Sequence, residues 1–177
     1  AKRGLGMERW LTLLSKGHPA GQKILDLDYE MYSEAEASLG WLNASVLIHT
    51  LRGFSPTDWV SQFFHSVNER LSTQRAETGH VKLFLRSATG TLKASLAETA
   101  TSPTVECGIS GDISEGKVLI NARVNMTPDL LEGIVRQAVG EAGDACESLS
   151  LVEELQSFSP PRPKPTYRFS QPVETAG

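Results

Sequence analysis

Two segments of this chain open in the same way. Ser55-Pro56-Thr57-Asp58 and Thr127-Pro128-Asp129 each set a hydroxyl residue before a proline, with an acid just behind. A hydroxyl suits the N-cap, proline carries the φ angle of the first helical position, and a carboxylate complements the positive end of the helix dipole. Behind the first start, Val60, Phe63, Phe64, Val67 and Leu71 fall on one helical face; behind the second, Leu130, Leu131, Ile134, Val135, Ala138 and Val139 do the same. Gly140 and Gly143 are read as the end of that second helix. Two such stripes cannot stay in water, so the chain must supply a layer for them to cover.

The layer is read from the segments between and around them. Gly40 to Leu51 is the first run with strand character, and its centre, Val46-Leu47-Ile48, is continuous rather than alternating, which suits a strand central in its sheet or covered on both sides. Val81, Leu83 and Leu85 alternate with Lys82, Phe84 and Arg86, and Leu92, Ala94 and Leu96 alternate beyond the turn Ser87-Ala88-Thr89-Gly90, a β-hairpin. Thr104 to Ile109 and Lys117 to Asn125 read as further strands around a polar turn at Ser110 to Gly116. Leu149, Leu151, Val152 and Leu155 fit a short edge strand or a helix. The order predicts an α+β fold: a mainly antiparallel sheet with two helices packed on one face, in a split βαβ or ferredoxin-like arrangement. Lys82, Phe84, Arg86, Leu119, Asn121 and Arg123 are then placed on the second face, which must be polar or meet a partner.

Outside this block, Leu5, Met7, Trp10, Leu11 and Leu14 predict an amphipathic helix that has no sheet of its own to cover. Ile24 to Asp28 is a brief strand or an extended linker, and Tyr29 to Leu39 is helical or turn-like. Glu30, Glu34 and Glu36 on that last segment read as a solvated face rather than a metal site, since no His or Cys sits at ligand spacing among them. Ser159-Pro160-Pro161-Arg162-Pro163-Lys164-Pro165 must be extended, as an SH3-type ligand, a strap across the domain or a frayed end.

Composition removes several function classes. No apolar run approaches the roughly 20 residues of a membrane helix, so no membrane partner is expected. The net charge of −4 and scattered basic residues disfavour nucleic acid. Cys107 and Cys146 lack a Cys-x-x-Cys spacing and fit a reducing cytoplasm as ordinary thiols, with a bridge between them the open alternative; Cys107 is placed inside a strand and Cys146 just past a helix. There is no Gly-x-Gly-x-x-Gly, no Gly-x-x-x-x-Gly-Lys-Ser/Thr, no His-Glu-x-x-His and no Gly-x-Ser-x-Gly in the chain. His18, His49, His65 and His80 are dispersed, so no catalytic residue is assigned. The metal candidates are His49, His65, His80 and Cys107, and for each a structural role is the stronger reading.

Ala1-Lys2-Arg3-Gly4-Leu5-Gly6, with Met7-Glu8-Arg9-Trp10 directly after it, resembles the stretch just past the serine in the Ser-Ala-Lys loop of P-loop GTPases. Together with Ala35-Glu36-Ala37-Ser38-Leu39-Gly40-Trp41-Leu42-Asn43-Ala44, the strand-helix-strands-helix order and the Pro-rich end, the whole chain resembles the C-terminal part of CobW-type (CobW/HypB/UreG) GTPases, a family of metallochaperones and cofactor-assembly proteins. The resemblance implies residues 1–28 as the tail of a GTPase domain and linker, 29–158 as an accessory α+β domain and 159–177 as a Pro-rich tail. It further implies GTP, Mg and Zn or Co for the full-length protein, with its own GTPase domain and a client metalloprotein or cofactor enzyme as partners. Within this chain only Ala1 and Lys2 inherit a nucleotide role, as remains of the guanine-binding loop. The phosphate loop, the magnesium-binding residues, the Cys-x-Cys-Cys motif and the His-rich tract of some members are absent from the chain. The expectation is a non-enzymatic, cytoplasmic contact domain that begins partway through a longer polypeptide. The competing reading is a stand-alone ferredoxin-like module for protein or RNA, which requires aromatic residues on the central strands and a basic face; Phe84 is the aromatic that qualifies.

Overall fold

The computed structural model describes residues 5–16 and 28–161. The chain divides into two compact units, and the unit that holds the sheet runs from Glu30 to Pro163. The other contains α1 (Met7–Ser15), which follows Gly6 in a left-handed conformation; its Trp10, Leu11, Leu13 and Leu14 are all about half exposed. The helix expected at Leu5 to Leu14 is therefore present, with its apolar stripe open to solvent. The alternation at Ile24 to Asp28 and most of the Pro-rich tail fall outside the described residues.

The sheet unit is α+β, in the order α2 (Tyr29–Ala37), β1 (Gly40–Phe54), α3 (Pro56–Thr73), β2 (Thr78–Ser87), β3 (Gly90–Leu96), β4 (Thr104–Cys107), β5 (Ile113–Val124), α4 (Pro128–Ala145) and β6 (Leu149–Phe158). All neighbouring strands are antiparallel, in the spatial order β4-β3-β2-β5-β1-β6. The β1-α3-β2 crossover has β5 inserted between its strands, and the β5-α4-β6 crossover has β1 inserted between its strands, which is the split βαβ arrangement. The β3–β4 extension widens the sheet on one side.

Both helices lie on the same face. Ser55 Oγ accepts from Asp58 N at 3.2 Å, so the expected cap of α3 forms. Thr127 holds the N-cap position of α4 with extended backbone, but its hydroxyl makes no capping bond. Trp59, Val60, Phe63, Phe64, Val67 and Leu71 of α3 are essentially without solvent exposure, and Leu131, Ile134, Val135, Ala138, Val139 and Ala142 of α4 complete the layer. They meet Leu42, Val46, Ile48, Val81, Leu85, Val118, Ile120 and Val124 of the sheet. Trp59 stacks on Phe63 at 5.8 Å and donates from Nε1 to Ser150 Oγ at 3.1 Å, so its one polar atom is satisfied inside the core.

Several expectations are corrected. Of the two readings of Val46-Leu47-Ile48, an interior place in the sheet holds, since β1 lies between β5 and β6, whereas cover on both sides does not: Val46 and Ile48 are buried under the helices, and Leu47 lies half-buried on the opposite face. Gly140 and Gly143 do not end α4, which continues to Ala145. A Cβ on Gly143 would come within 2.8 Å of Ser150 Oγ and 2.9 Å of Ser148 O, so this glycine permits close approach of helix and strand. β5 begins at Ile113, inside the segment read as a turn, because Ile113 pairs with Phe54 across an irregularity in β1. β4 ends at Cys107, two residues short of Ile109, so Cys107 stands exposed at the end of a strand, and Cys146 caps α4 as expected. The patch at Leu149 to Leu155 is neither short nor helical but part of a ten-residue edge strand. Ser45 pairs with Glu154 and Val46 with Val152, so Glu153 is the extra residue of a bulge. The bulge changes the alternation, placing Leu149 and Leu151 on one face but Val152 and Leu155 on the other.

A polar pin joins the helices. Ser66 Oγ donates to Glu141 Oε2 at 2.7 Å, Arg70 pairs with Glu141 Oε1, and Arg70 Nε donates to Gln137 Oε1 at 3.0 Å. The hydrogen bonds from Ser66 and then Arg70 hold the Glu141 carboxyl below its ordinary pKa. A lowered folded-state value means that the contribution is present above the unfolded pKa and is lost as pH falls through the folded one. Glu141→Gln is therefore expected to melt below the parent at neutral pH, with the gap closing as acid protonates the carboxylate; thermal melts across pH measure it. Gly40 offers a second test, since a Cβ there would sit 2.7 Å from Met126 O. Gly40→Ala should cost about 1–3 kcal/mol by denaturant unfolding, the range for overpacking against a rigid neighbour.

Candidate contact surface on the open sheet face

The face away from the helices is built by strand register. Direct partners across β2, β5, β1 and β6 form rows: His80, Arg123, Trp41 and Phe158; Lys82, Asn121, Asn43 and Gln156; Phe84, Leu119, Ser45 and Glu154; Arg86, Lys117, Leu47 and Leu151. Side chains in such rows stand about 4.5–5.5 Å apart at Cβ, close enough to interact. Lys82, Phe84, Arg86, Leu119, Asn121 and Arg123 all lie where the alternation placed them.

In the first row the Arg123 guanidinium lies 3.7 Å from the Trp41 ring centroid, and Phe158 meets the other partner side of Trp41 at 6.0 Å. Trp41 Nε1 and Arg123 Nε are shielded from solvent and reach no acceptor among the described residues. Beside this stack, His80 Nε2 and Asn121 Oδ1 are 2.7 Å apart, and Asn121 Nδ2 donates to Asn43 Oδ1 at 2.5 Å. Because the Asn121 amide nitrogen is spent on Asn43, its carbonyl faces His80, and Nε2–H is the donor. Ser45, Glu153 and Lys117 make a third group, with Lys117 Nζ 2.9 Å from Glu153 Oε2 and Ser45 Oγ donating to the same oxygen at 3.4 Å.

Large apolar groups remain in water between these polar clusters: Leu119 is 49% exposed, Leu151 57%, Leu149 69% and Phe158 40%. Exposed large apolar side chains set among charges on one sheet face are the ordinary signature of a contact surface. Trp41 and Phe158 were not identified with this face from the sequence. The phase of β1 could have revealed Trp41, since Trp41, Asn43 and Ser45 alternate with the buried Leu42, Ala44 and Val46.

Every residue of the Gly40-Trp41-Leu42-Asn43 run now has a physical task. Gly40 fits against the Met126 carbonyl, Leu42 is fully buried, and Trp41 and Asn43 organise the open face.

The candidate metal residues do not converge. His49 is exposed on β1, His65 is exposed on α3, on the helical side, His80 is engaged with Asn121, and Cys107 is exposed at the end of β4. Among the described residues no three His, Cys, Asp or Glu side chains gather to hold a metal ion. Ala1, Lys2 and His18 lie outside the described residues. Burial, with the Asp58 charge adding to it, pushes the Cys146 thiol above its ordinary pKa, which disfavours the reactive thiolate. An open depression at one end of the sheet is lined by Arg86, Lys117, Asp112 and Glu115, charges of both signs. No described helix is long and apolar enough to cross a membrane.

Comparison with known proteins finds no matching family model, no matching curated protein and no matching solved structure.

The Trp41–Arg123 stack offers a local test. Arg123→Ala should lower stability by about 0.5–2 kcal/mol, the range of a cation–π contact from exposed to desolvated, in denaturant unfolding. It should also shift Trp41 emission to the red as the ring meets water.

Proposed function

We propose that this chain is the accessory C-terminal part of a CobW-type, GTP-dependent metal chaperone or cofactor-assembly protein, and that its sheet unit mediates interdomain or client contact in the cytoplasm. The observation that carries the reading is the use made of the Leu39-Gly40-Trp41-Leu42-Asn43 run: its two outward side chains anchor an ordered, partly apolar surface rather than a reactive centre. Nucleotide and Mg would belong to a GTPase domain upstream, with Ala1 and Lys2 as the end of its base-binding loop. Among the described residues no three His, Cys, Asp or Glu side chains gather, so no step through zinc or cobalt is assigned to this unit.

A second reading, an RNA-binding sheet, is favoured by Phe84 with Lys82 and Arg86 on the same strand and Lys93 opposite it. Salt-sensitive retention on single-stranded RNA would support it.

Calorimetric titration with zinc, cobalt and GTP separates the leading reading from its rivals. This chain alone is expected to bind none of them tightly and to hydrolyse no GTP, whereas the same chain extended upstream by its GTPase domain is expected to bind nucleotide and metal. Tight zinc or cobalt binding by this chain alone would overturn the accessory role.

A further inference from the structure

The charges of the open face are sorted by strand. Lys82 and Arg86 on β2 and Lys93 on β3 are exposed around Phe84 and make no ion pair among the described residues. Arg86 even stands directly opposite Lys117, a like-charge pairing that disfavours the isolated sheet. Three strands away, β6 carries Glu153 and Glu154; Glu153 is taken by Lys117, while Glu154 is exposed and makes no ion pair among the described residues. Between the two ends run Phe84, Leu119, Leu47 and Leu151. Across β2, β5, β1 and β6 the β2 side carries Lys82 and Arg86 and the β6 side Glu153 and Glu154, with leucines set among polar groups between them; Glu106 of β4 lies opposite Lys93, outside these four strands.

We propose that the occupant of this face is a second copy of the same chain, packed sheet against sheet about a two-fold axis. Consider an axis lying in the face, parallel to the strands and between β5 and β1. Half a turn about it reverses the strand order, so β2 of one copy covers β6 of the other, while positions along the strands are kept. Glu154 shares its row with Phe84, so it arrives between Lys82 and Arg86, the residues two before and two after Phe84 on the partner's strand. The exchange occurs twice, once on each side of the axis. Near the axis Leu119 meets the neighbourhood of Ser45 and Leu47, and Asn121 faces Asn43, both polar amides.

The dimensions suit such a packing. Aligned sheets stack about 10 Å apart and cross at roughly 30°, a rotation that the long Lys and Arg stems absorb. Strand spacing and rise give the shared face a planar area on the order of 500–700 Å² per copy. Side-chain relief adds to that, bringing it near the roughly 800 Å² per partner of a standard interface.

Other occupants fit less well. A nucleic-acid backbone would meet Glu153 and Glu154 on its way from Phe84 to Phe158, and the Trp41 ring is already covered by Arg123. An unrelated protein would have to present both signs in reversed order, which a second copy does by symmetry. The inference rests on the proposed function only in taking the open face as the contact surface, and a dimer so formed leaves both helical layers outward for a GTPase domain or client.

The test is sedimentation equilibrium of this chain over a wide concentration range. Dimers are expected, and Lys82→Glu with Arg86→Glu in one variant, or Glu154→Lys in another, should each weaken association by at least about tenfold, because facing charges become alike. Mixing the two variants should restore dimers to within about threefold of the parent, since each then presents the complement of the other on both sides of the axis. Circular dichroism confirms that these surface variants remain folded. A parent monomeric at every concentration would overturn the proposal, as would variants that associate like the parent or a mixture that stays monomeric. A monomeric parent that instead shifts with a single-stranded RNA oligomer would overturn it in favour of the nucleic-acid reading. Calorimetry with zinc, cobalt and GTP is blind to these outcomes, so failure of the dimer and failure of the accessory role are separable.

Discussion

The structure depends on one-sided burial. The stripes of α3 and α4 cover a single face of a six-stranded antiparallel sheet, and the aromatic run Trp59, Phe63 and Phe64 supplies much of the apolar surface that this removes from water. Everything on the opposite face is thereby freed from packing the core. It can hold lysines, arginines and amides in ordered rows because the hydrophobic work is done elsewhere.

That division explains why polar side chains on the open face are organised. Antiparallel register sets Trp41 between Arg123 and Phe158, and sets Asn121 between Lys82 and Asn43, within reach of His80. Each contact joins residues far apart in sequence but adjacent in the sheet. A ferredoxin-like frame allows many functions, so the reading of this face rests on its side chains rather than on the frame. They include aromatic anchors, exposed leucines and the opposite charges of β2 and β6, and among the described residues no three His, Cys, Asp or Glu side chains gather there.

The helices and hairpin were legible because their signals are local. Ser55-Pro56 announces α3 through geometry intrinsic to those residues, and the alternation at Val81 to Leu85 survives because β2 pairs in regular register from His80 to Arg86 and one of its faces is buried. β6 was not legible for an equally physical reason. Glu153 bulges out of register, so Val152 and Leu155 share the buried face at a spacing of three, which resembles a helix as closely as a strand. Gly143 misled in a similar way, since a glycine chosen for close approach and a glycine that stops a helix look the same until the neighbour is known. The accessory role was drawn from motif residues and element order, and of the contact surface the alternation of β2 and β5 revealed Lys82, Phe84, Arg86, Leu119, Asn121 and Arg123 but not Trp41 or Phe158.

From its own residues the chain determined the two buried helices, the strands between them and the one-faced sheet, because hydrophobic period, capping chemistry and proline geometry act over a few neighbouring positions. Tertiary structure alone decided that Trp41 lies under Arg123 and beside Phe158, that Asn43 joins Asn121 and His80, and that the cations of β2 stand three strands from the acids of β6. Those pairings arise from strand order and register, and both are set by how the two crossovers interleave, a property of the whole chain that no short stretch of it contains.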